Sequence, residues 1–416
     1  MDCSVLLAAA ETIAPPLSLG LRIPLSVMNF LEFAIWGAWF VVLGNYLNSL
    51  HFSRKDIGRI YATMSLGSVV SPMFIGTIAD RWFASEQLMG VLHLLGAGLL
   101  FQMAQTRQAR KFYWIALVYA LVYSPTLALV NAVVFTHIPD AARDFPLVRV
   151  LGTIGWIAAG LSLKFFLQPG KPVNNRPLLL AAGLSLILGV YSFFLPHTPP
   201  KATGSEIPFL KAIDLLREPS FAVFFGVSFL ITIALAFYFS FTSLYLEQDA
   251  KVRPHNVGPL MTIGQWTEIF FMFTLSWFLL HLGMKWVLAI GMAAWGLRYA
   301  FFAIGRPFAL VVLGLALHGV CFDFFFAAGF IHVQNTAPPD IAASGQSLFA
   351  VLTYGLGMWI GTEASGWLNH WASSEVTDPE TGETTTVTNW RVFWLIPCAG
   401  VLLSLTLFLA FFRMNS

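Results

Sequence analysis

Arg149, Thr153 and Trp156 recur at i, i+4 and i+7 in RDFPLVRVLGTIGW, residues 143–156, a spacing that places them on one face of a helix. The stretch begins with Arg143, Asp144 and Pro146, which read as a polar loop, and then enters a long apolar run. An arginine inside an apolar helix is costly unless it faces a partner or a water-filled cavity. Gln265 and Glu268 stand three apart in IGQWTEIFF, so an amide and a carboxylate share a second face. Together they supply donors and acceptors suited to sugar hydroxyls or the edge of a base. The alternative for Glu268 is a structural pair with an arginine.

A third group lies in HGVCFDFFF. His318 and Phe322 share a face at i, i+4, and Asp323 lies about 140° from His318 around the axis. A carboxyl group among phenylalanines is a candidate proton carrier. The aromatic run reads first as packing and second as a stacking platform. Glu32, one turn before Trp36 in NFLEFAIWGAWF, fits either a cavity lining or a polar contact near the interface. Glu363, flanked by Gly361 and Gly366, reads as pairing with a neighbouring helix, and Arg298 in WGLRYAFF as a static salt bridge. The histidines other than His318 fall mostly near loops, and no pair of them has haem-ligand character. With no nucleophile–base pair and no metal cluster in the sequence, the expectation is no enzyme, no metal and no cofactor.

The elements that carry these residues are membrane helices. The 416 residues are 57% hydrophobic and 11% charged, against about a quarter charged in a soluble domain. Twelve apolar segments run roughly 28–50, 56–80, 86–106, 111–137, 146–168, 177–196, 219–247, 256–281, 283–304, 307–334, 342–370 and 391–413. Each is long enough to cross a ~30 Å hydrocarbon core as a helix, and lipid forces helices because it cannot satisfy backbone polar groups. The expected fold is therefore an all-α membrane protein of twelve transmembrane helices in two six-helix bundles, 28–196 and 219–416. Residues 1–27 read as an N-terminal cytosolic extension without the basic region of a signal peptide. Residues 197–218 read as a cytosolic linker whose stretch FLKAIDLLREPS forms an amphipathic helix. Residues 373–389, rich in Thr and Glu, read as a solvated loop. A net charge of +2 gives no sign of a nucleic-acid partner. Cys3, Cys321 and Cys398 are odd in number and far apart, so they read as apolar packing residues.

Twelve spans with a six-six split resemble the major facilitator superfamily, and GTIADRWFA, with Gly76, Asp80 and Arg81, is similar to its loop motif between helices two and three. That family places this loop in the cytosol, which implies a cytosolic N-terminus. The loop charges oppose this orientation, with eight Lys/Arg on the cytosolic side and thirteen on the other. More narrowly, FLEFAIWGAWFVVLG, YSPTLALVNAVVF, FPLVRVLGTIGW, GQWTEIFF, LRYAFFAIG and CFDFFF resemble, in order, the bacterial nucleoside:proton symporters. The resemblance implies substrate contacts at Arg149, Thr153, Trp156, Gln265, Glu268 and Phe322, with His318 standing where that family has a tyrosine. It implies proton coupling through Asp323, with Glu268 or Glu32. Ala236 and Phe239 replace two amides on helix seven, and Glu32 replaces a glutamine on helix one.

The function implied is a proton-coupled symporter of the inner membrane, multi-pass, importing nucleosides or related compounds by alternating access as a monomer in the lipid bilayer. Two other readings stand beside it: a sugar or oligosaccharide:proton symporter of the same fold, and a transport-inactive membrane receptor.

Overall fold

The computed structural model describes residues 15–52, 54–167, 173–200, 208–377 and 384–413. Cys3, most of the expected N-terminal extension and the linker residues 201–207 lie outside them. The first helix, α1 (Leu19–Leu47), starts inside the stretch read as an extension. It is followed by α2 (Arg54–Arg81), α3 (Ser85–Gln105), α4 (Ala109–His137), α5 (Ala141–Phe166) and α6 (Arg176–Ser192). A short linker helix, Pro208–Asp214, leads to α7 (Pro219–Gln248). The helical run Pro254–Ile304 turns at Gly283, whose φ of 74° is open to a residue without Cβ; its arms are α8 (254–282) and α9 (284–304). Then come α10 (Phe308–Thr336), α11 (Pro339–Trp371) and α12 (Trp390–Phe411).

Among the described residues nine helical segments are long and apolar enough to cross a membrane. One of them contains both α8 and α9. Adding α2 and the shorter α6 gives twelve long helices in the expected order. In the first half α1 packs on α5 and α6, α2 on α4, and α3 on α6; in the second half the α8–α9 run packs on α12, and α7 on α11 and α12. The halves meet where α5 packs on α8 and α2 on α11.

Small residues set the closest approaches. A Cβ at Gly155 would collide with the Phe30 carbonyl, and one at Gly152 would come 2.6 Å from the Phe33 ring. Both lie on the face that α5 presses against α1, so these glycines decide how near Arg149 and Trp156 come to α1.

Two further sequence expectations change. Residues 143–146 are not a loop: α5 begins at Ala141. Asp140 caps it by accepting from Arg143 N at 3.0 Å, while Asp144 reaches back to Asp140 N at 3.2 Å. This reciprocal cap holds the first turns despite Pro146. The expected solvated loop at 373–389 contains an antiparallel hairpin, β1 (Ser373–Thr377) with β2 (Thr384–Thr388), in register Ser373 to Thr388. Its β-branched Thr and Val residues favour extended backbone without any hydrophobic alternation to reveal it. Finally, two helices contain wider π turns, Asp323–Ala327 in α10 and Val351–Gly357 in α11, and such turns are frequent at functional sites.

The end of the molecule that holds the linker helix is sealed by contacts between the halves. Asp80 accepts from Ser344 N at 2.8 Å, tying the end of α2 to α11, and Ser276 Oγ of α8 donates to the Arg143 carbonyl of α5 at 2.9 Å. Lys211 of the linker helix pairs with Asp340 at 2.6 Å.

Candidate functional site

The α5 and α8 faces meet. Thr153 Oγ1 donates to Glu268 Oε1 at 2.6 Å, a bond from one half of the chain to the other. A hydrogen bond to a carboxylate contributes about 1.5–3 kcal/mol when both groups are dry. One turn before Thr153, Arg149 lies over the Phe33 ring at 4.0 Å, and its Nη1 is buried without a hydrogen-bond partner. One turn further on, Trp156 meets Trp36 of α1 edge to face, with ring centres 5.4 Å apart. On α8 the Gln265 amide oxygen is also buried and unpaired.

The α10 group closes the other side. Gly319 lets α10 approach the α8 backbone at Thr267 and Glu268, where a Cβ would collide. This brings His318 Nε2 to 4.0 Å from Glu268 Oε2. The imidazole stacks between Tyr238, at 5.2 Å, and Phe322, at 5.9 Å, and its Nδ1 has no partner. Asp323 begins the π turn of α10, is fully buried, and neither of its carboxylate oxygens has a partner. So Thr153, Glu268 and His318 come together, flanked on their own helices by Arg149, Trp156, Gln265 and Phe322.

Glu32 is elsewhere. It is fully buried in the first half, with His93 Nε2 at 2.8 Å from Oε2 and Thr126 Oγ1 donating to Oε1 at 2.7 Å. His93 is an exception to the histidines near loops: it sits inside α3 and is buried. Its signal in the sequence is its place in the apolar run VLHLLGAG, which spacing alone does not connect to Glu32 sixty-one positions away.

Two further expectations are corrected. Arg298 forms no ion pair among the described residues; its Nε donates to the Gly314 carbonyl at 2.9 Å and its guanidinium lies over Tyr238 at 4.0 Å and Trp295 at 4.9 Å. Aromatic faces and one carbonyl stand where the salt bridge was expected, and both Nη atoms are buried without a hydrogen-bond partner. Glu363 is exposed and makes no ion pair among the described residues. The helix-seven substitutions divide: Ala236 is buried, and a Cβ at Gly361 would come 2.7 Å from its own, whereas Phe239 is 54% exposed, edge-on to His318 at 6.5 Å.

Two halves of long helices, sealed together at one end and bridged near the middle by hydrogen-bonding and ionisable side chains, define a membrane transporter of the major facilitator fold. The fold is shared with the fucose:proton symporter of Escherichia coli, at a TM-score of 0.73 over 95% of this chain and 99% of that one, with 15% identity. The sequence matches the Nucleoside H+ symporter family over residues 19–416, and the chain belongs to that family. YegT of Escherichia coli (strain K12) is 39% identical over 94% of this chain and 93% of its own. The xanthosine permease of the same strain is 32% identical over 94% and 96%. The crystal structure of the nucleoside transporter NupG, 30% identical, superposes with a TM-score of 0.67 over 95% of this chain and all of that one.

Proposed function

We propose that the chain imports nucleosides together with protons across the inner membrane by alternating access, holding the substrate between its halves against α5, α8 and α10. The observation that carries this reading is the Thr153–Glu268 bond between the halves, set among buried polar atoms without protein partners: Arg149 Nη1, Gln265 Oε1, His318 Nδ1 and both oxygens of Asp323. Buried polar groups are nearly always hydrogen-bonded, and these supply both donors and acceptors, as ribose hydroxyls and base edges require. In this reading Arg149, Gln265 and Glu268 hold the ribose and base edges, Thr153 and His318 complete the polar wall, and Trp156 and Phe322 stack on the base. Asp323, with Glu268, carries the proton. Each proton entering at –100 mV contributes about 2.3 kcal/mol. The sealed end is then cytosolic, and the cycle opens it by parting Asp80 from Ser344.

The test is uptake of a labelled nucleoside into proteoliposomes with an acidic exterior. Accumulation above the external concentration, collapsed by a protonophore and competed by nucleosides but not by sugars, is the expected result. Competition by sugars in place of nucleosides, or uptake indifferent to the proton gradient, refutes it.

A further inference from the structure

Glu32 and His93 form an ionisable pair that the substrate face does not use. The side chains are 0% and 1% exposed and 2.8 Å apart. Among the described residues, every hydrogen-bond partner of the two side chains is in the first half of the chain. Thr126 of α4 donates to Glu32 Oε1, Tyr123 of α4 donates to the Glu32 carbonyl at 2.9 Å, and Ser185 of α6 donates to the His93 carbonyl at 2.8 Å and lies 3.4 Å from His93 Nδ1. The neighbouring titratable groups on α4 are the stacked tyrosines Tyr119 and Tyr123. A carboxyl group and an imidazole side by side compensate one another among apolar helices, whereas removing one partner leaves the other uncompensated.

One turn after Glu32 comes Trp36. Its ring meets Tyr123 at 6.3 Å and Trp156 at 5.4 Å, both edge to face. The next residue is Gly37, where a Cβ would lie 2.9 Å from the Trp156 carbonyl. The height and rotation of α1 at Glu32 therefore set where Trp156 stands.

We infer that Glu32 and His93 are positioning residues for the Trp36–Trp156 aromatic pair and are not the proton-coupling site. A coupling carboxylate must be reached from alternating sides. Glu32 spends both of its oxygens on partners within one half, and rocking of that half as a rigid body leaves those contacts unchanged. Asp323 differs, since neither oxygen has a protein partner. The inference rests on the assignment of Trp156 to the substrate face.

Uptake kinetics in proteoliposomes decide it, measured across external pH with a labelled nucleoside. Glu32→Gln keeps an acceptor for Thr126 and a hydrogen-bonding group for His93 but cannot take up a proton. It should concentrate substrate as the wild type does, with an unchanged pH profile. Glu32→Ala and His93→Ala should raise KM about tenfold with little change in maximal rate, and neither should add to the effect of Trp156→Ala. Glu32→Gln that exchanges substrate yet cannot concentrate it overturns the inference and places Glu32 in the proton path. Unchanged KM in both alanine variants overturns it as well. Unchanged KM in Trp156→Ala alone strikes the substrate-face assignment instead, and the accumulation by Glu32→Gln still decides between positioning and coupling.

Discussion

Replacing Arg149 by lysine keeps a positive charge in place and removes the planar fork. In the structure the guanidinium is held from two sides: Phe33 lies 4.0 Å beneath it, and Gly152 leaves it room, since a Cβ there would come 2.7 Å from Nη1. Nη1 has no protein partner, and no ion pair joins Arg149 to Glu268 among the described residues. The stacking on Phe33 is already formed without substrate, so it is not a contact that binding has to create. If Arg149 recognises substrate as proposed, what lysine loses is the charge-assisted hydrogen bond that only a fixed planar donor can direct. At a dry site this costs about 1.5–3 kcal/mol, or roughly 10- to 150-fold in affinity. Arg149→Lys should therefore melt close to wild type and bind a nucleoside that much more weakly by calorimetry. If Arg149 served only to balance Glu268, lysine would bind nearly as well as arginine, and the double variant Arg149→Met, Glu268→Gln would still bind. Near-normal affinity in Arg149→Lys refutes the recognition role.

Asp323→Asn should abolish uphill accumulation while leaving substrate exchange measurable, because its carboxyl has no protein partner to hold its proton in place; wild-type accumulation removes it from the mechanism. With Cys3 replaced by serine and the buried Cys321 and Cys398 left in place, Lys211→Cys should resist an impermeant thiol reagent added outside intact cells, and ready labelling reverses the orientation of the sealed end. Gly155→Val should lower the melting temperature through a clash with the Phe30 carbonyl, a strain of about 1–3 kcal/mol where the helices shift to relieve it. A melting curve like that of the wild type would show that α1 and α5 need not approach so closely.

The helices were legible because lipid allows so few alternatives, and the two polar faces because the helical period is regular. That Thr153 would touch Glu268 is a different kind of fact. Each face can be drawn from its own sequence, but their meeting depends on which helices adjoin; the resemblance to a family implied that both faces contact substrate, and not that Thr153 bonds to Glu268. Arg298 shows the limit of charge counting: an arginine can lie against two ring faces with one nitrogen on a carbonyl and both Nη atoms buried without a hydrogen-bond partner, and none of this marks itself in a sequence. The hairpin at 373–388 and the cap on α5 were hidden for a simpler reason. Thr-rich polar segments carry no periodic apolar signal, and a proline near a helix start looks like a break until the capping carboxylates opposite it are seen.

The buried polar groups divide according to whether their partners lie in one half or in both. Glu32, His93, Thr126 and Ser185 join α1, α3, α4 and α6, and Arg298 binds to rings and a carbonyl in the second half. Such contacts hold equally well whichever way the halves tilt, so they cannot report the tilt. A group can shift the equilibrium between two conformations only by interacting differently with each. Thr153–Glu268 meets that condition because its atoms belong to opposite halves. Asp80–Ser344 meets it too, at the sealed end. Protonation of Glu268 would weaken the first bond without touching the second, since a neutral acid accepts less strongly than a carboxylate. In the proposed cycle proton and substrate would then act on the tilt through the same carboxyl group, and a nucleoside hydroxyl that displaces Thr153 from Glu268 would loosen the centre while the Asp80–Ser344 end still holds.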